Sequence, residues 1–315
     1  MQYSKYKILF TAGGSPGMEA MFRSLNRGYE MFFADMDPER ISPVIPINRK
    51  FSIPAALDPL FTSAVVDLCK KLDIDLLVPG VDEELLKIWD ASEELPTTKL
   101  FMPKASFVTA MNDKLKMNRL FMRYGLDVPR AVQADEITTG LTFPVVVKPR
   151  VGRGSRDIFI IDQPHKLSPM LDALNGPIEN WMVQERVDGK EYTVQVVCGA
   201  DSSVLVVLPI LALEKRGSTT VAEIADDPEI KEYCKLINRC FSPQGTYNVQ
   251  LIKSGDGRIR CFEVNPRIST TFCMAIKAGF DPFRSFCEGK PFFETAKKPP
   301  PIRLVRHWIN EFSEE

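Results

Sequence analysis

Asn248-Val-Gln250-Leu-Ile-Lys-Ser-Gly255-Asp256-Gly257-Arg-Ile-Arg-Cys261-Phe-Glu263-Val-Asn265-Pro-Arg267 is the stretch on which the reading of this chain turns. Two alternating apolar and polar runs flank Gly255-Asp256-Gly257, a strong short-range signal for a β-hairpin. With Asp256-Gly257 as a two-residue loop, Gln250 lies directly opposite Glu263, their Cβ atoms about 4.5–5.5 Å apart on one sheet face. Asn265, two residues on, points to that same face. Three oxygen-bearing side chains then stand where a half-buried sheet would normally carry Val or Ile. Hard oxygen donors so clustered suit Mg²⁺, which keeps waters and shares nucleotide phosphates with its protein ligands. Arg267, just past Pro266, adds a permanent cation for those phosphates. A Gly255-Asp256 loop keeps the facing, whereas a three-residue loop breaks it. The same alternation also describes the solvent face of an ordinary surface hairpin, so the rest of the chain has to decide.

With 315 residues the chain can bury a large core, and 44% hydrophobic with 26% charged residues is ordinary for a soluble globular protein. A net charge of −1 supplies no basic field to recruit nucleic acid or an acidic membrane. The N-terminus runs straight into strand-like Ile8-Leu9-Phe10 with no apolar leader, so a cytoplasmic chain is expected. The longest apolar run, Val204 to Leu213, is broken by Pro209 and falls far short of the roughly 20 residues that span a bilayer. It reads as one or two buried strands. None of the seven cysteines forms a C-x-x-C pair, and Cys69, Cys198, Cys261, Cys273 and Cys287 sit among apolar neighbours as reduced core thiols do. His165 and His307 are the only histidines, which argues against zinc and against Ser-His-Asp or Cys-His chemistry.

Residues 7–12 read as a buried strand entering Gly13-Gly14-Ser15-Pro16-Gly17, a helix to about Arg27, and a second strand, Met31 to Ala34. A Gly-rich turn at a helix N-terminus is a natural anion site, but without a full G-x-G-x-x-G a dinucleotide reading is weak. Asp58-Pro59 opens the next helix, with Leu60, Ala64, Leu68 and Leu72 as its buried stripe. A strand, Ile74 to Val78, precedes a helix that starts at Asp82-Glu83-Glu84. Residues 1–105 thus predict one parallel α/β layer. Asn112-Asp113-Lys114 begins another helix, with Met117, Leu120, Phe121 and Tyr124 as its stripe. Phe143-Pro-Val-Val-Val-Lys148-Pro149 then runs into Arg150-Val-Gly152-Arg153-Gly154-Ser155-Arg156-Asp157, three arginines and two glycines in seven residues. That pattern predicts a phosphate clamp of backbone N–H groups and cations, against a snorkelling strand end. Trp181 to Glu185 is a strand that resumes, after Asp188-Gly189, with Glu191 and Thr193. Pro299-Pro300-Pro301 leads into a tail, 302–315, whose Leu304, Val305, Trp308 and Ile309 fit an amphipathic helix docked on its own domain or a partner.

The order of these parts resembles the ATP-grasp superfamily, in the branch similar to carbamoyl-phosphate synthetase large subunits and related carboxylate–amine ligases. Lys114 and Lys148 match the family's two basic phosphate-binding residues, and Gly152, Gly154 and Ser155 stand where its lid loop covers the phosphates. Glu185 and Val187 match the linker whose main chain holds adenine, and Glu191 matches the acid that binds ribose hydroxyls. Gln250, Glu263 and Asn265 match its metal ligands, and Arg267 its catalytic arginine. The resemblance implies mixed α/β and α+β architecture: a Rossmann-like domain at 1–105, an ATP-grasp domain at 106–298 with a lid at about 126–186, and a tail at 299–315. ATP with one or two Mg²⁺ ions (Mn²⁺ would serve) is the implied cofactor set. This sequence departs from relatives in a short, arginine-rich lid loop and in Gln250, where many members are acidic; it holds one ATP-grasp unit and no glutaminase segment.

The implied reaction moves the γ-phosphoryl group of ATP to a small-molecule carboxylate and then couples the acyl phosphate to an amine, with Arg267 and Lys148 offsetting charge. Gly14 and Ser15 through backbone N–H groups, Lys215-Arg216, and Ser269 are candidate acceptor contacts, each equally readable as a loop or cap. No nucleic acid or membrane partner is expected, and a homodimer is compatible with the sequence. A kinase that keeps the phosphate on its product, a non-catalytic ATP-binding protein, and an oxidoreductase using Asp35 or Asp37 to read a ribose are the competing readings.

Overall fold

The computed structural model describes residues 6–136, 140–152, 154, 156–292 and 301–307. Its first layer is a five-stranded parallel sheet in the order β3-β2-β1-β4-β5: β1 (Lys7–Phe10), β2 (Glu30–Asp35), β3 (Lys50–Ser52), β4 (Leu76–Val78) and β5 (Lys99–Leu100). Both faces are covered, which is why the strands read as unbroken apolar runs. Ile8 and Phe10 face α1 (Met18–Leu25), while Leu9 and Leu77 face α2 (Phe61–Leu72) and α3 (Asp82–Asp90). The second of these helices starts later than Asp58-Pro59 predicts. Asp58 instead closes a turn, its carboxylate accepting from the Leu60 N–H, and the buried stripe becomes Phe61, Val65, Leu68 and Cys69. Leu60 is left 66% exposed.

Next come α4 (Ala105–Asn112) and α5 (Lys114–Arg123), with Asp113 between them capping the N–H groups of Leu115 and Lys116. Lys114, Leu115, Met117, Asn118 and Phe121 are the buried residues of α5, whereas Tyr124, expected in its stripe, stands beyond its end and half exposed. A small antiparallel sheet follows in the order β6-β9-β7-β8: β6 (Ala131–Gln133), β7 (Val145–Pro149), β8 (Phe159–Ile161) and β9 (Trp181–Glu185), with α6 (Leu167–Asp172) against it.

The largest sheet is antiparallel, in the order β14-β13-β10-β11-β12-β15: β10 (Lys190–Cys198), β11 (Val204–Arg216), β12 (Ser218–Ile224), β13 (Gly245–Lys253), β14 (Ile259–Asn265) and β15 (Arg303–Val305). The apolar run at 204–213 is a single strand that keeps Pro209 opposite Val194. Period-two alternation splits this sheet. Val194, Val196, Tyr247, Val249 and Leu251 pack with α7 (Pro228–Phe241), so Thr193, Gln195, Asn248 and Gln250 are left to the opposite face. Helices α8 (Cys273–Lys277) and α9 (Pro282–Glu288) wedge the large sheet against the parallel one. Phe283 makes ring contacts with Phe10, Phe101 and Phe272 at 5.3–5.8 Å between centroids. The tail forms no helix over 301–307; it adds β15 to the β12 edge, Val221 pairing with Val305. Trp308 and Ile309 lie outside the described residues.

Candidate active site

The hairpin turns through three residues rather than two. The Ser254 N–H donates to the Arg258 carbonyl, and Gly257 takes a left-handed φ of 81°. Such a loop by itself would set Gln250 against Phe262. A one-residue bulge corrects it: Leu251 pairs with Cys261 but Gln250 pairs with Glu263, leaving Phe262 as the extra residue. Asn248 pairs with Asn265 beyond the bulge. The expected facing therefore holds through a different turn and a compensating bulge.

Around Glu263 the other elements deliver cations. Lys114, first residue of α5, places Nζ 3.4 Å from the Glu263 carboxylate. Lys148, on β7, is 5% exposed and donates to the Gln184 Oε1 at 2.9 Å. Burial pushes the Lys148 ammonium down to about 8, against the pull of Glu263 and with the push of Lys114. The Nε2 group of Gln184 is buried with no hydrogen-bond partner among the described residues, an orphan donor beside that lysine. Arg267 forms a bidentate pair with Asp82 at the start of α3, at 3.0 and 2.9 Å, joining the first layer to the end of the hairpin. Asn265 and Glu263 both line a chamber of about 140 Å³ with Arg267, Ser269 and Lys215. Glu263 also lines a second chamber of about 210 Å³ with Lys114, Lys148, Gly152 and Arg156.

Several expectations change. Arg150 is not free to clamp phosphate: its guanidinium pairs with Asp113 at 2.6 Å and donates to Gln133 and the Glu179 carbonyl. Arg153 and Ser155 lie outside the described residues, while Gly154 lines the smaller chamber. Lys215 pairs with Glu191 at 2.5 Å, so the candidate acceptor lysine and the candidate ribose acid form one unit; Arg216 is exposed and lines neither chamber. The Glu185 carboxylate accepts from the Thr142 N–H, and its own N–H donates to the Arg130 carbonyl; Val187 follows the strand end. The Gly-rich turn offers no anion hole, because the N–H groups of Gly13, Gly14 and Ser15 bond to the Ala34 carbonyl, the Asp35 carboxylate and the Ala12 carbonyl. Asp35 thus occupies the Gly14 N–H that an anion would need. A Cβ on Gly14 would stand 2.6 Å from Arg40 Cβ, so this glycine serves close packing.

Sequence reasoning missed three residues. Gln195, fully buried, accepts from the Ser269 N–H and donates to Thr246, fixing the loop after Arg267. Asp82 reads in sequence only as a helix-start charge. Gln184 reads in sequence only as part of the adenine linker, whereas its side chain accepts from Lys148. A polar residue at an inward strand position was the available signal for both glutamines.

The donor set suits Mg²⁺: Gln250 and Glu263 are ladder partners, Asn265 is 7% exposed beside them, and all present hard oxygens. No cluster of three or more His, Cys, Asp or Glu able to hold a metal occurs among the described residues. The ATP-grasp domain family matches residues 111–271, just over half of the chain. The chain belongs to the ATP-grasp family. This ATP-grasp protein is 23% identical over 278 residues to the carbamoyl phosphate synthase large chain of Campylobacter jejuni, covering 80% of this chain and 25% of that one. It spans about a quarter of the length of such curated relatives. In fold it is similar to N5-carboxyaminoimidazole synthetase of Staphylococcus aureus, with a TM-score of 0.70 at 16% identity over 95% of this chain and 82% of that one. The L-amino acid ligase of Bacillus licheniformis is also similar, with a TM-score of 0.64 at 18% identity over 93% and 76% of the two chains. Among the described residues no helix is long and apolar enough to cross a membrane.

Proposed function

We propose that this ATP-grasp protein is an ADP-forming carboxylate–amine ligase acting on small molecules. The observation that carries the reading is the meeting at Glu263 of Lys114 and Lys148 with the oxygen row of Gln250 and Asn265. Phosphoryl transfer asks a protein chiefly for positioning and charge neutralisation. Lys114 and Lys148 hold the polyphosphate, and Arg267 offsets charge on the transferred group. The Gln184 Nε2 donor gains an acceptor atom from the bound nucleotide, Glu191 takes the ribose hydroxyls, and the main chain from Glu185 to Val187 carries adenine. Gly152 and Gly154 lie in the segment that closes over the phosphates and excludes water from the acyl phosphate. Glu263, Asn265 and Gln250 would hold Mg²⁺, which supplies Lewis-acid neutralisation of the phosphate oxygens; a single carboxylate favours one ion. Ser269, anchored by Gln195, lies with Arg267 in the chamber for the acceptor carboxylate, and Lys215 joins them when Glu191 turns to ribose.

A carboxylate oxygen attacks the γ-phosphorus and ADP leaves; the amine nitrogen then attacks the acyl carbon and phosphate leaves. Phosphorus NMR on the full chain with MgATP and pooled carboxylates, with and without pooled amines, tests this. ADP and free phosphate that require both pools are expected. ADP with a new phosphorus resonance and no free phosphate would replace the ligase with a kinase.

A further inference from the structure

The chamber beside Arg267 is lined by Ser218, Thr219, Ser269, Thr270 and Thr271, and both of its cations are already paired: Arg267 with Asp82, Lys215 with Glu191. A further guanidinium stands behind this wall. The tail strand β15 pairs Val305 with Val221 of β12, and the Arg306 N–H donates to the Thr220 carbonyl at 2.9 Å. Ile302 and Leu304 pack against the core between the parallel and large sheets, which anchors the strand and sets where Arg306 lies. The Arg306 Nη2 donates to the Thr270 carbonyl, while its Nε is buried with no hydrogen-bond partner. No carboxylate pairs with Arg306 among the described residues. The same carbonyl is covered from the other side by Gly17, where an added Cβ would stand 2.7 Å from the Thr270 oxygen. A carbonyl so enclosed needs a donor, and Arg306 supplies it. A trans peptide turns its N–H opposite to its C=O, so the Thr271 N–H points away from Arg306. That N–H has no acceptor among the described residues, and neither has the Thr270 N–H.

We infer that Arg306 is a positioning residue of the acceptor chamber. It fixes the Thr270–Thr271 peptide with an N–H toward the bound anion, and it adds positive charge that Arg267 and Lys215 direct to their own carboxylates. The inference rests on the ligase reading and adds a residue of the tail to its acceptor site. A charge-assisted hydrogen bond at the carbonyl polarises the peptide and strengthens the donor at its other end. An arginine is charged at every working pH, and without a carboxylate beside it this charge is offset only when an anion enters the chamber.

Inorganic phosphate, the product that the ligase reading releases in this chamber, is the probe, titrated calorimetrically into the full chain with MgADP bound. Arg306→Gln keeps a donor for the Thr270 carbonyl without the charge, and Arg306→Lys keeps the charge. Phosphate is expected to bind at least fivefold more weakly to Arg306→Gln and within twofold of the parent to Arg306→Lys, with MgADP affinity unchanged in both. Rescue by lysine and not by glutamine separates the charge from a merely structural anchor. Equal phosphate affinity in all three proteins, equal weakening in both variants, or loss of MgADP binding by both would overturn the inference and leave the ligase standing. So would a parent that binds MgADP and takes up no phosphate. Failure of the parent to bind MgADP would remove the ligase reading, and the inference with it.

Discussion

Lys148, proposed to hold phosphate, is a cation kept in the protein interior at a cost to stability. Burial lowers its folded pKa to about 8 from an ordinary 10.5. Between those values the unfolded chain holds a proton that the folded chain has released, so this residue makes stability rise with pH across that window. Below about 8 the buried charge is present in full. Phosphate needs that charge, so nucleotide binding should move the other way. MgADP affinity measured by calorimetry is expected to be level at pH 6–7 and to fall up to about tenfold per pH unit above 8; a flat profile to pH 9 would remove Lys148 from the phosphate site. Glu263 carries a sharper expectation. Glu263→Gln keeps the shape of the ladder partner of Gln250 and deletes the one carboxylate of the oxygen row. ADP release should drop by about 10³-fold, with thermal unfolding nearly unchanged.

At the scale of elements, the hairpin was legible and its turn was not. Alternation identified both strands and the polar face, because a period of two is fixed by the pleat. Loop length was mis-set by one residue, since Gly255-Asp256-Gly257 serves a two-residue turn and a three-residue turn with a left-handed glycine equally well. Gly257 carries φ 81° with nothing within 4 Å of an added Cβ. Gly257→Ala should therefore cost about 1–2 kcal/mol through backbone strain alone, read as a lower midpoint in urea with ATP turnover retained. Leu60 and Tyr124 were misplaced for a related reason: helical spacing gives the stripe, but an end set by a turn or by Gly125 decides which residue begins or leaves it. Residues 302–307 of the tail read as helix in sequence but hold a strand, because three or four apolar residues cannot choose between periods. Its Arg306 reaches the Thr270 carbonyl next to Ser269, and the Arg306 Nε has no hydrogen-bond partner among the described residues. Removing 301–315 would also bare the β12 edge and take Ile302 and Leu304 away from the core they pack against. That truncation is expected to lower the unfolding midpoint and promote self-association, seen by light scattering.

Across the whole molecule, the site depends on joints between layers. The Arg267–Asp82 pair ties the parallel layer to the hairpin, and the Phe283 cluster holds that layer against the large sheet. Breaking the first joint by Asp82→Asn should weaken the grip on Arg267 without emptying the core, so activity would fall while unfolding stays cooperative; scanning calorimetry with an ADP-release assay checks both. Saturating MgADP at 100 times its Kd should add about 2.7 kcal/mol to stability, and denaturant titration with and without nucleotide reads it directly.

The sequence by itself determined the parallel layer, the paired strands and which of the candidate residues at 114, 148, 250, 263 and 265 stand together, because apolar runs and alternation are local and the candidates are ordered along the chain. Tertiary structure alone decided which charges are already spoken for. Arg150 is held by Asp113, Lys215 by Glu191, Arg267 by Asp82 and the N–H of Gly14 by Asp35. Partners that are 21 to 185 residues apart leave no periodic trace in a sequence. Whether a charged side chain is free for a ligand depends on packing between elements, which only the folded chain fixes.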